Sequence, residues 1–97
     1  MPAEKIEPGE LVFRIADNLP SIGLAAHDLL VVEPRPHGRA TTGEFVIATL
    51  GDRTFIGRWW AKHGTRAVLD NDFHALAEAP ELRVLGAVTL IARDETR

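Results

Sequence analysis

Hydrophobic and polar positions between residues 43 and 60 follow the pattern of a β-hairpin. Two runs rich in β-branched and aromatic residues flank Gly51-Asp52, and glycine at the first position of a two-residue loop is typical of a type II′ turn. With this loop, Val46 faces Gly57 across the hairpin. Both faces carry apolar residues, so we predict that the hairpin lies at the centre of the fold. A glycine inside a strand has no side chain to pack, so position 57 leaves a hole or admits a neighbouring backbone.

Outside the hairpin, short apolar runs alternate with turn residues, a pattern typical of short strands with little helix. An alternating run predicts the first strand, and a continuous apolar run, typical of a strand buried on both faces, predicts the second. The predicted strands outside the hairpin are residues 11–16, 28–33, 66–69 and 82–92. We expect one or two helical turns at residues 22–26, one turn at 74–79, and an exposed loop at 34–42.

These elements predict a mainly β fold class: a compact, coiled antiparallel sheet or a small β-barrel with one or two short helical turns. A parallel sheet would need crossover helices that this sequence lacks. The length of 97 residues corresponds to one domain. Residues 1–10 are polar and contain two prolines and a glycine, so we expect a flexible arm there and a single domain at 11–97.

The composition narrows the classes of function. The chain has no cysteine, which removes disulfides, thiolate zinc sites and cysteine nucleophiles. Its net charge of −3 gives no overall attraction to nucleic acid. No apolar run approaches the roughly 18 residues of a membrane-spanning helix, and the chain does not begin with a signal-peptide pattern. We therefore expect a cytoplasmic protein without membrane contact.

Several short motifs occur in an order known from one family. Residues 22–28 lead into the apolar run of residues 29–32, the hairpin follows, and then come Leu-Asp-Asn-Asp at 69–72 and Val-Leu-Gly-Ala-Val at 84–88. This order resembles the carboxy-terminal domain of LexA-type repressors and UmuD-like proteins, the self-cleaving Ser-Lys peptidases related to bacterial signal peptidases. The resemblance covers about residues 11–92, with His27 where the family has glycine. It implies a LexA-type fold and a role in bacterial transcriptional regulation of SOS or phage type.

The same resemblance implies that both catalytic residues are missing. The family uses a serine nucleophile before the short helical turn and a lysine base on the second hairpin strand, where burial lowers the lysine pKa. Counted without gaps, the serine position is Asn18 and the lysine position is Gly57. We therefore expect a pseudo-peptidase that uses no cofactor. The alternative is an active peptidase in which Ser21 is a displaced nucleophile and Lys62 a displaced base.

The function that the resemblance implies is dimerisation or protein interaction, because family members pair through their carboxy-terminal strands. Residues 82–92 form the longest predicted strand and are rich in β-branched residues, and an unpaired edge of this kind favours pairing. We expect a homodimer or a complex with a partner regulator protein, and no direct DNA binding by this chain. The expected interface residues are Val84, Leu85, Val88 and Leu90.

A second expected interaction surface contains Arg58, Trp59 and Trp60. Adjacent strand residues point to opposite faces, so at most one of the two tryptophans enters the core and the other is left to a groove or a partner. Stacking and positive charge are also what single-stranded nucleic acid requires. A third interpretation is therefore a small β-barrel that binds nucleic acid, or a small ligand in a groove at Gly57.

Three alternating polar residues, Asp70, Asp72 and His74, have the side chains of a divalent-metal site. The same residue types are typical of a polar turn with capping side chains. We favour the turn and predict no metal site.

Overall fold

Residues 9–93 are described by the structure, a computed structural model, and they form one antiparallel sheet of seven strands. The strands are β1 (Leu11–Arg14), β2 (Leu29–Pro34), β3 (Phe45–Leu50), β4 (Arg53–Lys62), β5 (Thr65–Leu69), β6 (Ala75–Glu78) and β7 (Arg83–Ala92). A 3-10 turn, Pro20–Ile22, lies between β1 and β2. The order across the sheet is β1-β2-β7-β3-β4-β5-β6, so β1 and β6 are its edges. Within residues 9–93, no helix is long and apolar enough to cross a membrane.

The prediction of a mainly β fold is confirmed as a compact antiparallel sheet, and this sheet does not close into a barrel. The central hairpin has the predicted register, with Val46 opposite Gly57. Residues 74–79 were expected to form a helical turn, and this is wrong, because β6 lies there and pairs with β5. Four residues are too few for a stable helix, whereas pairing with β5 satisfies their backbone groups. Most of the predicted arm at residues 1–10 lies outside the described residues.

Two hydrophobic cores lie on opposite faces of the sheet. The first contains Ile15, Ile22, Leu24, Leu30, Val32 and Ile47. The second contains Val46, Ala48, Trp59, Val68, Leu82 and Val84. β3 contributes to both cores because successive side chains of a strand point to opposite faces. The continuous apolar pattern of the hairpin therefore corresponds to a strand pair with a hydrophobic core on each face, as predicted.

β7 changes faces along its length through register shifts. Its pairing with β3 shifts opposite Ile47 and Ala48, and its pairing with β2 shifts opposite Val31 and Val32. In a regular strand Val84 and Val88 would share a face, because they are four residues apart. Here Val84 belongs to the second core and Val88 packs against the first. The irregular pairing thus lets one long strand serve both cores.

An ion-pair network around Arg35 holds the long loop between β2 and β3. The Arg35 guanidinium donates to both carboxylate oxygens of Glu44, at 2.8 and 3.2 Å, and also to Glu33. The Thr41 N–H donates to Glu44 Oε1 at 2.7 Å. The hydrogen bonds from Arg35, and next the one from Thr41, lower the pKa of Glu44. Hydrogen bonding to Glu44 in turn raises the pKa of Arg35 above its usual value.

Candidate functional site

The serine position of the resembled family is occupied by an asparagine with a structural task. The Ala26 N–H donates to Asn18 Oδ1 at 2.9 Å, so the side chain connects the two ends of the segment between β1 and β2. An isolated bridge between Leu19 and Leu24 closes the same segment. A side-chain amide is not a nucleophile of this class, and here its oxygen is used as a backbone acceptor.

The lysine position, Gly57, is buried against the backbone of β5. A Cβ atom added at Gly57 would lie 2.5 Å from the Leu69 carbonyl oxygen and 2.9 Å from a methyl group of Val68. Of the two outcomes expected for this glycine, the structure therefore shows the close approach of a neighbouring backbone. The groove considered at Gly57 as a ligand site is not present at this position, because Leu69 occupies the space.

The end of β5 lies between Gly57 and the 3-10 turn. Leu69 contacts Gly57, and two residues later the Asn71 N–H donates to the Ser21 carbonyl oxygen at 2.9 Å. Ser21 thus lies beside the end of β5. Lys62 pairs with Thr65 at the start of β5, so the length of this strand separates it from Ser21, about 15 Å at about 3.3 Å per residue. That distance is too long for the direct proton transfer that a Ser-Lys pair requires.

The expected interface strand, β7, has two different halves. Residues 83–87 pair with β3, and residues 86–92 pair with β2, so the middle of β7 is flanked on both sides. Beyond residue 87, the described strands leave the β3 side of β7 unpaired. The expectation of an unpaired edge at residues 82–92 therefore applies, in the described part of the chain, only to the second half of β7.

The four expected interface residues are distributed accordingly. Val84 is buried in the second core and is not available to a partner, which corrects its assignment to the interface. Val88 is half-buried against the first core, whereas Leu85 and Leu90 are exposed. Leu90 stands in a cross-strand row with Val31 and with Val12 of β1, and Val12 and Leu90 are both exposed. The unpaired half of β7 therefore adjoins an apolar surface row.

A shallow groove runs along the unpaired half of β7, which we call the β7 groove. Its volume is about 540 Å³. Its far wall contains Phe45 and Arg58, and the Arg58 guanidinium lies 5.6 Å from the centre of the Phe45 ring. Arg58 also donates to the Gly43 carbonyl oxygen, at 3.3 Å. Ile22, Gly23, Asn71, Val88, Thr89, Leu90 and Ile91 complete the lining.

The end of β7 beside this groove is tied to the turn before β2. The Arg93 guanidinium donates to the Gly23 carbonyl oxygen at 3.0 Å and lies 3.5 Å from the buried carboxylate of Asp28. Asp28 also accepts from the Ala25 N–H at 2.9 Å. The free edge of β7 is therefore held by specific contacts at its carboxy-terminal end.

The two tryptophans behave as the alternation of strand residues predicts. Trp59 is 2 % exposed and belongs to the second core, whereas Trp60 is half-buried on the opposite face. Trp60 lines a separate groove of about 470 Å³, which we call the aromatic groove. The other lining residues are Ala67, Leu69, Phe73, Ala75 and Glu78. Trp59 is thus removed from the expected interaction surface, and Trp60 and Arg58 line different grooves.

The turn between β5 and β6 confirms the interpretation of Asp70, Asp72 and His74 as polar turn residues. Asp70 Oδ1 accepts from the Asp72 N–H at 2.8 Å and from the His74 N–H at 2.9 Å. Phe73, in the same turn, has a φ angle of 65° and is 76 % exposed. Phe73 was not among the predicted site residues. Its signal was a large aromatic residue inside a run of turn-forming polar residues.

Comparison with known proteins adds no relative: no protein-family model matches the chain, and no curated protein matches it significantly.

Proposed function

We propose that this chain is a catalytically inactive domain of the LexA type that acts as a cytoplasmic dimerisation or protein-interaction module in transcriptional regulation, of the SOS or phage type. The order of sequence motifs and the antiparallel β fold support the resemblance. A further support is His27, which stands where the family has glycine and has a φ angle of 74°. Glycine is the residue that adopts such an angle without strain, so the backbone here has the conformation that the family's residue favours.

Two features support inactivity. Asn18 uses its side-chain oxygen to hold the Ala26 N–H, and Gly57 is in contact with the backbone of Leu69. A lysine at position 57 would need to displace this backbone, which is harder than displacing the end of a flexible side chain. The proposal therefore treats both positions as parts of the scaffold.

Among residues 9–93, the second half of β7 is unpaired on its β3 side, and this observation carries the interaction role. Unpaired backbone groups on a strand edge are a template for another strand. Residues 88–92 have such an edge, an exposed Leu90 and the adjacent β7 groove. A second copy of the chain, approaching with the same residues antiparallel, would extend the sheet across a twofold axis.

The alternatives fit these contacts less well. An active peptidase with Ser21 and Lys62 would need the two side chains in contact. Lys62 pairs with the first residue of β5, whereas Ser21 lies beside the other end of that strand. Nucleic-acid binding would need stacking aromatics next to free cations. Trp59 is buried, and Arg58 is engaged with Phe45 and Gly43.

Sedimentation analysis between 1 and 100 μM tests the proposal. We expect a dimer for the natural chain. Leu90→Lys should raise the dissociation constant of the dimer at least tenfold, because a lysine there places charge in the new sheet. Leu76→Lys is the matched control: Leu76 is 38 % exposed and Leu90 is 41 % exposed, but Leu76 lies at the other end of the sheet. This control should remain dimeric.

Two results would contradict the proposal. The first is a monomer at about 100 μM. A dimer with a dissociation constant near 1 μM, which is a free energy of association of about −8 kcal/mol, would be mainly associated at that concentration. The second is a dimer that Leu76→Lys disrupts and Leu90→Lys does not, which would place the interface at β6.

A further inference from the structure

β6 and the aromatic groove form a second surface, at the opposite edge of the sheet from β1. β6 pairs with β5 along one side, and in the described part of the chain its other side carries no strand. The lining of the aromatic groove crosses three strands toward this edge, from Trp60 on β4 through Ala67 and Leu69 on β5 to Ala75 on β6. The groove and the free edge therefore form a continuous surface.

Phe73 lines this groove, and the turn in which it lies does not require a phenylalanine. It is 76 % exposed and has a left-handed φ angle of 65°, a conformation that costs a bulky residue free energy. The turn itself is built by Asp70, whose carboxylate accepts two backbone N–H groups. An asparagine at position 73 would adopt the same φ angle with less strain. A phenylalanine here contributes a ring to the groove instead of stability to the turn.

Charge indicates what kind of strand would add to β6. Residues 70–81 contain four carboxylates, Asp70, Asp72, Glu78 and Glu81, and no lysine or arginine. Glu78 lines the aromatic groove itself. Two copies of this chain pairing edge to edge through β6 would bring these carboxylates together, which is unfavourable. A basic segment would instead be attracted to the three exposed carboxylates, Asp72, Glu78 and Glu81, whereas Asp70 is buried in the turn.

We propose that the β6 edge and the aromatic groove bind an extended, basic segment of a partner protein by strand addition, with an apolar side chain between Trp60 and Phe73. In an added strand, alternate side chains point to the same face, so one can enter the groove while a lysine or arginine two residues away faces Glu78. This site is independent of the proposed dimer, because β7 lies in the middle of the sheet and β6 at its edge.

The test is selection from a phage-displayed library of random 12-residue peptides on the full chain. Enriched peptides are then synthesised and titrated, with tryptophan fluorescence as the signal, because one of the two tryptophans lines the groove and the other is buried. We expect peptides with alternating apolar residues and an excess of lysine and arginine. Their binding should weaken when the salt concentration is raised.

Three variants test the assignment. Phe73→Asn, which suits the left-handed backbone, should weaken binding at least tenfold while the circular dichroism spectrum stays unchanged. Glu78→Lys, at an exposed position, should also weaken binding of basic peptides at least tenfold, and it tests the site even if Phe73→Asn does not fold. Leu90→Lys, on β7, should bind as tightly as the natural chain, whatever its oligomeric state.

Any of three results would overturn the proposal. The first is the absence of any peptide enriched on the natural chain relative to Phe73→Asn or, should that variant not fold, to Glu78→Lys. The second is enrichment of peptides that lack an excess of basic residues. The third is selected peptides whose affinity is unaffected by both Phe73→Asn and Glu78→Lys, which would place their binding elsewhere on the chain.

Discussion

Two buried glycines, Gly57 and Gly86, allow the backbone of a neighbouring strand to approach closely. A Cβ atom at Gly57 would meet the Leu69 carbonyl oxygen, and one at Gly86 would lie 2.7 Å from the Glu33 carbonyl oxygen. Both contacts are to backbone, which cannot move aside as the end of a side chain does. Gly57 faces the second core through its partner Val46, and Gly86 pairs with Ile47 of the first core. Each core thus has a glycine at which a neighbouring backbone approaches closely.

The contact at Gly57 predicts a loss of stability that does not depend on charge. Gly57→Ala should lower the free energy of unfolding by about 2–3 kcal/mol at both pH 7 and pH 10, because the added methyl group overlaps the Leu69 backbone. Gly57→Lys should lose more at pH 7, where the buried lysine must also give up its proton. Its lysine pKa would be depressed in the folded state, so this second part fades as pH rises toward the unfolded value of about 10.4.

Urea unfolding of both variants at the two pH values measures these effects. Thr54→Ala, at an exposed position of the same strand, is the control and should stay within about 0.5 kcal/mol of the natural chain. An unchanged midpoint for Gly57→Ala would show that β5 does not approach position 57.

The loop between β2 and β3 behaves as one unit because Arg35 connects its two ends. Arg35 contacts Glu33 at the end of β2 and Glu44 just before β3, and its N–H donates to the Leu85 carbonyl oxygen of β7 at 2.9 Å. A loop without periodicity was predicted for residues 34–42. The ion pairs of Arg35 with Glu33 and Glu44, which we call the clamp, do not follow from local sequence, since Arg35 and Glu44 are nine residues apart and only the folded loop brings them together.

This clamp predicts an acid-sensitive contribution to stability. The pKa of Glu44 is lowered by its hydrogen bonds to Arg35 and Thr41, so its contribution is present above the unfolded pKa of about 4.5 and is lost as pH falls through the lower folded value. Glu44→Gln should lower stability at pH 7 by about 1 kcal/mol, a modest value because the carboxylate is 31 % exposed. Between pH 5 and pH 3, the variant should lose less stability than the natural chain.

Chemical denaturation across this pH range compares the two proteins. Glu33→Gln is the matched control, since Glu33 contacts the same guanidinium but its side chain is 56 % exposed, so it should cost less stability at pH 7 than Glu44→Gln does. Identical profiles for Glu44→Gln and the natural chain would mean that the clamp does not persist in solution.

The molecule as a whole is a single sheet with a core on each face, and its two proposed interaction surfaces lie in different parts of that sheet. The β7 groove adjoins the first core and the 3-10 turn. The aromatic groove lies across β4, β5 and β6 at the other end. Together the two proposals describe a chain that joins two partners at once.

Inertness is the corresponding prediction for the whole protein. Incubation at alkaline pH, where a lysine base of the family would be neutral, should leave the chain intact. A serine-directed fluorophosphonate should not label it above the level of Ser21→Ala, because Ser21 and Lys62 are at opposite ends of β5. A specific cleavage product, or labelling that disappears in Ser21→Ala, would support the peptidase alternative instead.

The sequence by itself determined those features that depend on neighbouring residues. Gly51-Asp52 and the flanking apolar runs established the hairpin and its register, because a two-residue loop leaves one way to pair the strands. Alternation along β4 predicted that the two tryptophans would separate, and Trp59 entered the core. The polar turn at Asp70 was predictable for the same reason, since Asp70 bonds backbone groups two and four residues away.

Only the tertiary structure decided those features that depend on residues far apart in the chain. Ala75–Glu78 became a strand because β5 was beside it, against the local helical preference. β7 became central in its first half and an edge in its second because β3 begins at Phe45, so no described strand pairs with residues 88–92 on that side. Leu69 closed the space at Gly57 through a backbone contact across twelve residues. Such contacts depend on how strands coil and stack, which local residue patterns do not encode.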